Sequence, residues 1–194
     1  MATAASSLRG MTARPMRQRL VQLALVWSIL GLTDPAYSAD VVAGKEKAEL
    51  CIGCHGEGGI SQTESIPSLA AQPDLFIQWH LVFFRAGARK NEQMQPIVEQ
   101  LNNDDIRNLG AYFASLALPK SPRPDDNPEL SQKGAEAAVG RRCGSCHTET
   151  FAGTKAVARV AGQREEYLLK ALRDYKSGVR SGGAWRRWRM SPIH

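Results

Sequence analysis

The sequence predicts an all-α protein made of two tandem helical domains built to one plan. Three observations predict it. No stretch of the 194 residues alternates apolar and polar positions as a half-buried strand does, whereas several carry apolar residues at helical spacing. The run Cys51-Ile52-Gly53-Cys54-His55 has a counterpart ninety-two positions later in Cys143-Gly144-Ser145-Cys146-His147. Past the second motif, matches recur at a constant offset of ninety-one: Gln72 with Gln163, Phe76 with Tyr167, Leu81 with Leu172, Phe84 with Tyr175, Gly87 with Gly178 and Arg89 with Arg180. One duplication explains this period, which is too long for a solenoid repeat.

Residues 1–39 are expected to be a secretory signal peptide rather than part of the fold. Arg9, Arg14, Arg17 and Arg19 form a basic start, Leu20 to Leu32 an apolar stretch of thirteen residues, and Ala36, Ser38 and Ala39 a small-residue cleavage region. The apolar stretch falls short of the roughly 20 residues a spanning helix needs, so an uncleaved anchor is the lesser reading and a periplasmic location the expected one.

The first domain is expected over residues 40–118. Ala43, Lys45, Glu46, Lys47, Ala48 and Leu50 are good helix formers that lead into Cys51. Gly56, Gly58 and Gly59 end that element, and an open loop runs to Pro67-Ser68-Leu69. Pro73 and Asp74 start a helix from Leu75 to about Ala86, apolar almost all round and so expected to be buried on more than one side. Gly87 closes it, a polar loop carries Met94-Gln95-Pro96-Ile97, and Asn102 or Asn103 caps a last helix whose Ile106, Leu109, Phe113 and Leu116 form one apolar stripe. Residues 119–130, with Pro119, Pro122, Pro124 and Pro128, read as an extended linker. The second domain is expected over 131–194, with Ser131 capping a Gly- and Ala-rich helix that leads into Cys143 and a helix from Glu165 to Lys176 copying that of the first domain.

The chemistry lies in the paired motifs. They hold all four cysteines of the chain, spaced Cys-x-x-Cys and followed at once by histidine, which is the pattern of covalent c-type haem attachment. Cys51, Cys54, Cys143 and Cys146 would bind two haems through thioethers, and His55 and His147 would be the proximal iron ligands. A single zinc site would have to bridge some ninety residues, a thioredoxin-like pair needs a βαβ setting, and disulfides would leave the two histidines unexplained. Six-coordinate iron needs a further ligand. Met94 is the only methionine of residues 40–118 and Met190 the only one of residues 131–194; the echo of Met94-Gln95-Pro96-Ile97 in Met190-Ser191-Pro192-Ile193 makes them the candidates. His80, mid-helix beside Trp79, reads as a packing or helix-surface residue, and His194 as a possible competitor of Met190.

Charge is unevenly distributed. Residues 40–118 hold six Lys/Arg against ten Asp/Glu, a net of −4, and residues 131–194 hold thirteen against five, a net of +8. Such a dipole can orient encounter with a charged partner. Loss of residues 1–39 lowers the formal charge from +6 to +3, and two propionates per haem bring the loaded chain near neutrality, so the basic precursor does not argue for nucleic acid.

These residues together resemble the di-haem cytochromes of the cytochrome c4 family, tandem class I cytochrome domains. The resemblance covers residues 41–193 and rests on the two Cys-x-x-Cys-His motifs, Pro67-Ser68-Leu69-Ala70-Ala71-Gln72, Ala161-Gly162-Gln163, Gly87-x-Arg89, Gly178-x-Arg180 and the two Met-x-Pro-Ile runs. It implies a periplasmic electron carrier with its haems at a pseudo-twofold domain interface. Its donors would be a quinol-oxidising complex or a dehydrogenase, its acceptor a terminal oxidase, with peripheral or no membrane contact. It also implies that the Pro67 carbonyl holds the His55 imidazole. Two departures follow. Ala158 replaces Pro67 in the second domain, which puts the support of His147 in doubt. The chain ends four residues after Met190, so the second domain is expected to lack its C-terminal helix. One-electron transfer without substrate binding is thus the leading expectation, ahead of a haem subunit in a dehydrogenase or oxidase complex and of a di-haem peroxidase, which an iron lacking its sixth ligand would favour.

Overall fold

The break at Ala48 shows how the first segment is built. A computed structural model describes residues 38–118 and 125–180, and those from Ala39 onward fall within one compact unit. The helix expected to run into Cys51 is two short ones, α1 (Val41–Lys47) and α2 (Glu49–His55). Asp40 starts α1 by accepting from the amides of Val42 and Ala43. The buried Ala48 links the two helices, and α2 ends at Gly56 with φ +81°.

The helix α3 (Asp74–Arg85) buries Ile77 and Phe84 but leaves Leu75 and Trp79 substantially exposed, so its apolar girdle is only partly covered by protein. The Met94 loop is not wholly irregular: Gln95–Val98 form a single-turn helix, α4, with Pro96 in its first turn, where its missing N–H costs nothing. The helix α5 (Asn103–Ser115) starts at Asn102 in a reciprocal capping box, the Asn102 side chain accepting from the Asp105 amide and the Asp105 carboxylate from the Asn102 amide. It packs against both α1 and α3 and brings Ile106, Leu109 and Phe113 into a core with Ile77, Phe84, Val98 and Leu101. Arg85 ties the end of α3 to the start of α5, donating to the Leu101 carbonyl at 2.9 Å and to Asn103 Oδ1 at 2.7 Å.

In the second repeat, α6 spans Pro128–Gly140, beginning three residues before the expected Ser131 cap and inside the expected linker. Asn127 takes the capping role, its side chain accepting from the Leu130 amide at 3.0 Å, and Pro128 then sits at the one helical position that suits it. The short α7 (Gly144–His147) and α8 (Glu165–Ser177) follow. Among the described residues the only strand-like pairing is an isolated bridge between Thr154 and Val157, and no helix is long and apolar enough to cross a membrane. Residues 1–37 of the expected signal segment, residues 119–124 of the expected linker, Met190, His194 and the end of the chain lie outside the described residues.

Candidate haem centres

Each motif sits where a helix stops abruptly. At the end of α2, Gly56 adopts φ +81° and ψ 157°, a conformation essentially reserved for glycine, and a Cβ there would stand 2.0 Å from the Ile60 carbonyl oxygen. The chain turns back through Glu57–Gly59, and the Gly59 carbonyl accepts from the amides of Leu69 at 2.7 Å and Ala70 at 3.0 Å. This folds the Pro67 loop over the motif. The Pro67 carbonyl oxygen then lies 2.8 Å from His55 Nδ1. Since a carbonyl can only accept, Nδ1 carries the proton and Nε2 is left with its lone pair. Burial, with a smaller push from Arg89, lowers the His55 pKa against the opposing Pro67 bond, so the ring is neutral at pH 7, as an iron ligand must be.

The second motif repeats this wiring with different residues. The Phe151 carbonyl accepts from the amides of Val160 and Ala161, both at 3.0 Å, and the Ala158 carbonyl lies 2.8 Å from His147 Nδ1. The doubt raised by Ala158 is therefore resolved in favour of support: the acceptor is a main-chain oxygen, which alanine supplies as well as proline. Thr148 and Phe151 take the places of Gly56 and Gly59 and also adopt positive φ, +70° and +56°.

The four thiols are free, Cys54 and Cys146 exposed and Cys51 and Cys143 half-buried. Burial first, and then Cys54, push the Cys51 thiol up to about 11, which keeps it protonated at neutral pH. Among the described residues no three His, Cys, Asp or Glu converge to hold a metal ion, which sets aside one shared four-cysteine site. Met94 is half-buried against the first-repeat core, its loop fixed by the Asn91 side chain accepting from the Met94 amide at 2.9 Å and by Gln95 Nε2 donating to the Phe84 carbonyl at 2.8 Å.

The two repeats meet along a polar seam next to both motifs. Gln163 Oε1 accepts from the Ser68 amide at 2.8 Å while its Nε2 donates to the Ser68 carbonyl at 2.9 Å. Gln72 makes the reciprocal pair with Arg159, accepting from its amide at 3.0 Å and donating to its carbonyl at 2.8 Å. Ser68 and Arg159 are themselves equivalent at an offset of ninety-one. Arg164 adds a bond to the Ser61 carbonyl at 3.2 Å. In the sequence Gln72 and Gln163 stand out only as matching positions. Their role rests on partners 87 and 95 residues away, which no local pattern reveals.

A second cluster joins Arg89, Tyr167, Arg180 and His80. Arg89 donates to His80 Nδ1 at 3.1 Å and to Tyr167 Oη at 3.5 Å, and Arg180 donates to Tyr167 Oη at 3.1 Å. Arg89 lies over the Phe84 ring and Arg180 over the Tyr175 ring. His80 is thus a packing residue at the seam, edge-on to Phe76, and burial together with Arg89 and Arg180 pushes its pKa down to about 2.

This cluster tests whether the residues present fit haem. Two neighbouring guanidiniums are gathered, among the described residues no carboxylate is paired with either, and the buried Arg180 Nε has no partner. That arrangement suits an anionic group such as a haem propionate. Together with two histidines whose Nδ1 is held by a main-chain carbonyl and two pairs of free thiols, the residues fit two c-type haems.

Comparison with known proteins agrees. No protein-family model matches the chain. Cytochrome c4 of Pseudomonas aeruginosa is 31% identical over 173 residues, covering 86% of this chain and 85% of that protein. A thiosulfate dehydrogenase electron acceptor of Thiomonas intermedia is 28% identical over 183 residues, covering 87% and 79%. The crystal structure of reduced recombinant cytochrome c4 from Pseudomonas stutzeri superposes with a TM-score of 0.70 at 26% identity, over 78% of this chain and 90% of that one. The chain therefore belongs to the cytochrome c4 family of di-haem electron carriers, with two covalent haem c groups as its cofactors.

Proposed function

We propose that the protein is a periplasmic carrier of single electrons in which Cys51 and Cys54 hold one haem and Cys143 and Cys146 the other. His55 and His147 are the proximal ligands, Met94 and Met190 the distal ones. The observation that carries this reading is the same 2.8 Å bond at both motifs, from His55 Nδ1 to the Pro67 carbonyl and from His147 Nδ1 to the Ala158 carbonyl. A ring held in that way offers Nε2 to the iron in a fixed orientation and with raised basicity. A bound haem supplies an iron that gains or loses one electron. The chain's part is to keep both axial positions filled and to set the potential through the methionines, the histidine bonds and the guanidinium cluster.

In this reading residues 1–39 are removed on export, residues 40–118 are the first haem domain, the second begins with α6 at Pro128, and the residues between them form the link. Within the second domain α6 buries none of its residues among the described ones. A quinol-oxidising complex or a dehydrogenase donates and a terminal oxidase accepts. The likeness to a thiosulfate dehydrogenase electron acceptor supports the dehydrogenase. The net +8 of residues 131–194 suits docking to an acidic surface, with reduction rates that fall as salt rises.

A covalent haem count with oxidised and reduced visible spectra tests the assignment. Two haems per chain, both low-spin, are expected. Met94→Ala and Met190→Ala should each turn one iron high-spin; an iron that stays low-spin removes that methionine from the ligand set.

A further inference from the structure

Gln72 and Gln163 do more than join the repeats. Ser68, which Gln163 grips through both amide and carbonyl, directly follows Pro67, whose carbonyl holds His55. Arg159, gripped in the same way by Gln72, directly follows Ala158, whose carbonyl holds His147. The carbonyl that orients each proximal histidine is thus one peptide unit from a clamp supplied by the other repeat. We propose that Gln72 and Gln163 are positioning residues acting in trans, each fixing the proximal histidine of the haem it does not itself carry. This rests on His55 and His147 being the proximal ligands.

The physical basis is short-range and rigid. A peptide unit is planar, so holding both the N–H and the C=O of one residue fixes the orientation of the carbonyl just before it. That carbonyl sets how strongly Nδ1–H is hydrogen-bonded, hence how basic the imidazole is and how well it stabilises ferric over ferrous iron. The two clamps are not equal. Gln72 is buried, at 4% exposure, whereas Gln163 is half-buried. Pro67 has its φ locked by the ring and Ala158 does not, so the loop holding His147 relies more on its clamp than the loop holding His55. The cross-effect on the second haem is therefore the larger.

The test replaces each glutamine by methionine, which keeps the length of the side chain and removes its two hydrogen bonds across the seam and, at Gln163, also the one that its Oε1 accepts from the Arg164 amide, and measures the midpoint potential of each haem in the holoprotein by spectroelectrochemistry. Hyperfine-shifted NMR signals, assigned through contacts to the amides near Cys54 and Cys146, tell the haems apart. Gln72→Met should raise the potential of the second haem by about threefold in the ferric-to-ferrous ratio, about 28 mV at 59 mV per decade, and leave the first in place. Gln163→Met should raise the first haem by less and leave the second. Where a methionine variant does not load haem, Gln72→Asn and Gln163→Asn, which only withdraw the amide by one methylene, are expected to give the same crossed pattern at smaller size. A shift at the haem of the variant's own repeat, equal shifts at both haems, or no shift in a protein of normal spectrum and stability overturns the proposal. A missing haem or an altered proximal ligand in the unmodified protein would instead overturn the ligand assignment beneath it.

Discussion

The first and second repeats carry the same haem-attachment motif in very different packing. Around Cys51–His55, α5 lies across α1 so closely that a Cβ on Gly44 would stand 2.1 Å from the Asn108 carbonyl oxygen, and Val98, Leu109 and Phe113 are almost fully buried. Around Cys143–His147, α6 has no buried residue, Val139 is 78% exposed, and a Cβ on Gly134 would meet nothing within 4 Å. Only Ala171, Tyr175 and Arg180 of the described second repeat are buried. The contrast teaches that one haem-holding loop can be secured in two ways: by its own hydrophobic core in the first repeat, and chiefly by the seam with its neighbour in the second.

Removing core atoms is the strongest way to break this comparison. Leu109→Ala should cost about 3–5 kcal/mol, because a fully buried leucine loses both its transfer energy and the packing of the cavity it leaves. Val139→Ala in α6 should stay within about 0.5 kcal/mol, as exposed substitutions do. Urea unfolding of the holoprotein followed by far-UV circular dichroism measures both. Similar losses would show that α6 is covered after all.

Glycine-to-alanine changes sharpen the same point through their sign. Gly44→Ala must push α1 off the α5 backbone and should cost about 1–3 kcal/mol as overpacking. Gly134→Ala has open space around it and removes a poor helix former, so it should stabilise by up to about 1 kcal/mol. Thermal unfolding midpoints moving in opposite directions are the expected result.

How much of this was legible beforehand depends on range. The Asn102 cap, the stripe of Ile106, Leu109 and Phe113 and the extent of α3 and α8 follow from local spacing, and the structure gives them within a residue or two. The break at Ala48 and the turn Gln95–Val98 did not follow, since tertiary packing rather than propensity decides them. Pro128 read as a linker residue, yet it starts α6 because Asn127 caps it. Of the site, the motifs and the Pro67 bond were accessible from sequence and resemblance. The equivalence of Ala158 to Pro67 as an acceptor is hidden in the sequence because the two residues differ in side chain, whereas only the main chain acts. The glutamine clamps and the Arg89–Tyr167–Arg180 cluster depend on contacts between the repeats, which periodicity cannot report.

Acid pH separates the repeats at a position where they differ. His80 stands where the second repeat has Ala171, and its folded pKa of about 2 lies far below its ordinary 6.5. Below pH 6.5 the unfolded chain takes up a proton that the folded one refuses, so stability falls with pH, by at most about 1.4 kcal/mol per unit from this group. Its contribution is fully present above pH 6.5 and is lost progressively toward pH 2. His80→Ala, which copies the second repeat, should flatten the decline between pH 6.5 and 4 in denaturant midpoints, whatever it costs at pH 7. An unchanged slope would assign the acid sensitivity to other groups.

The two repeats differ last in the turn after each motif. Gly56 and Thr148 occupy equivalent positions in the same conformation, φ 81° with ψ 157° and φ 70° with ψ 162°, where a β-branched residue is strained by about 1–3 kcal/mol. Thr148 recovers part of this because its Oγ1 accepts from the Ala152 amide at 3.2 Å, a bond worth about 1 kcal/mol. Thr148→Gly relieves the strain, gives up that bond and loosens the unfolded chain, so a net gain of no more than about 1 kcal/mol is expected. Gly56→Thr has no such recovery: its Cβ would meet the Ile60 carbonyl oxygen at 2.0 Å, and a loss at least as large as the strain follows. Measured by thermal unfolding, a gain at Thr148 beside a loss at Gly56 would mean that the second motif works with a strained turn, its histidine bond kept by the loop beyond it. Losses at both would mean that the Thr148–Ala152 bond is part of what holds the second loop in place.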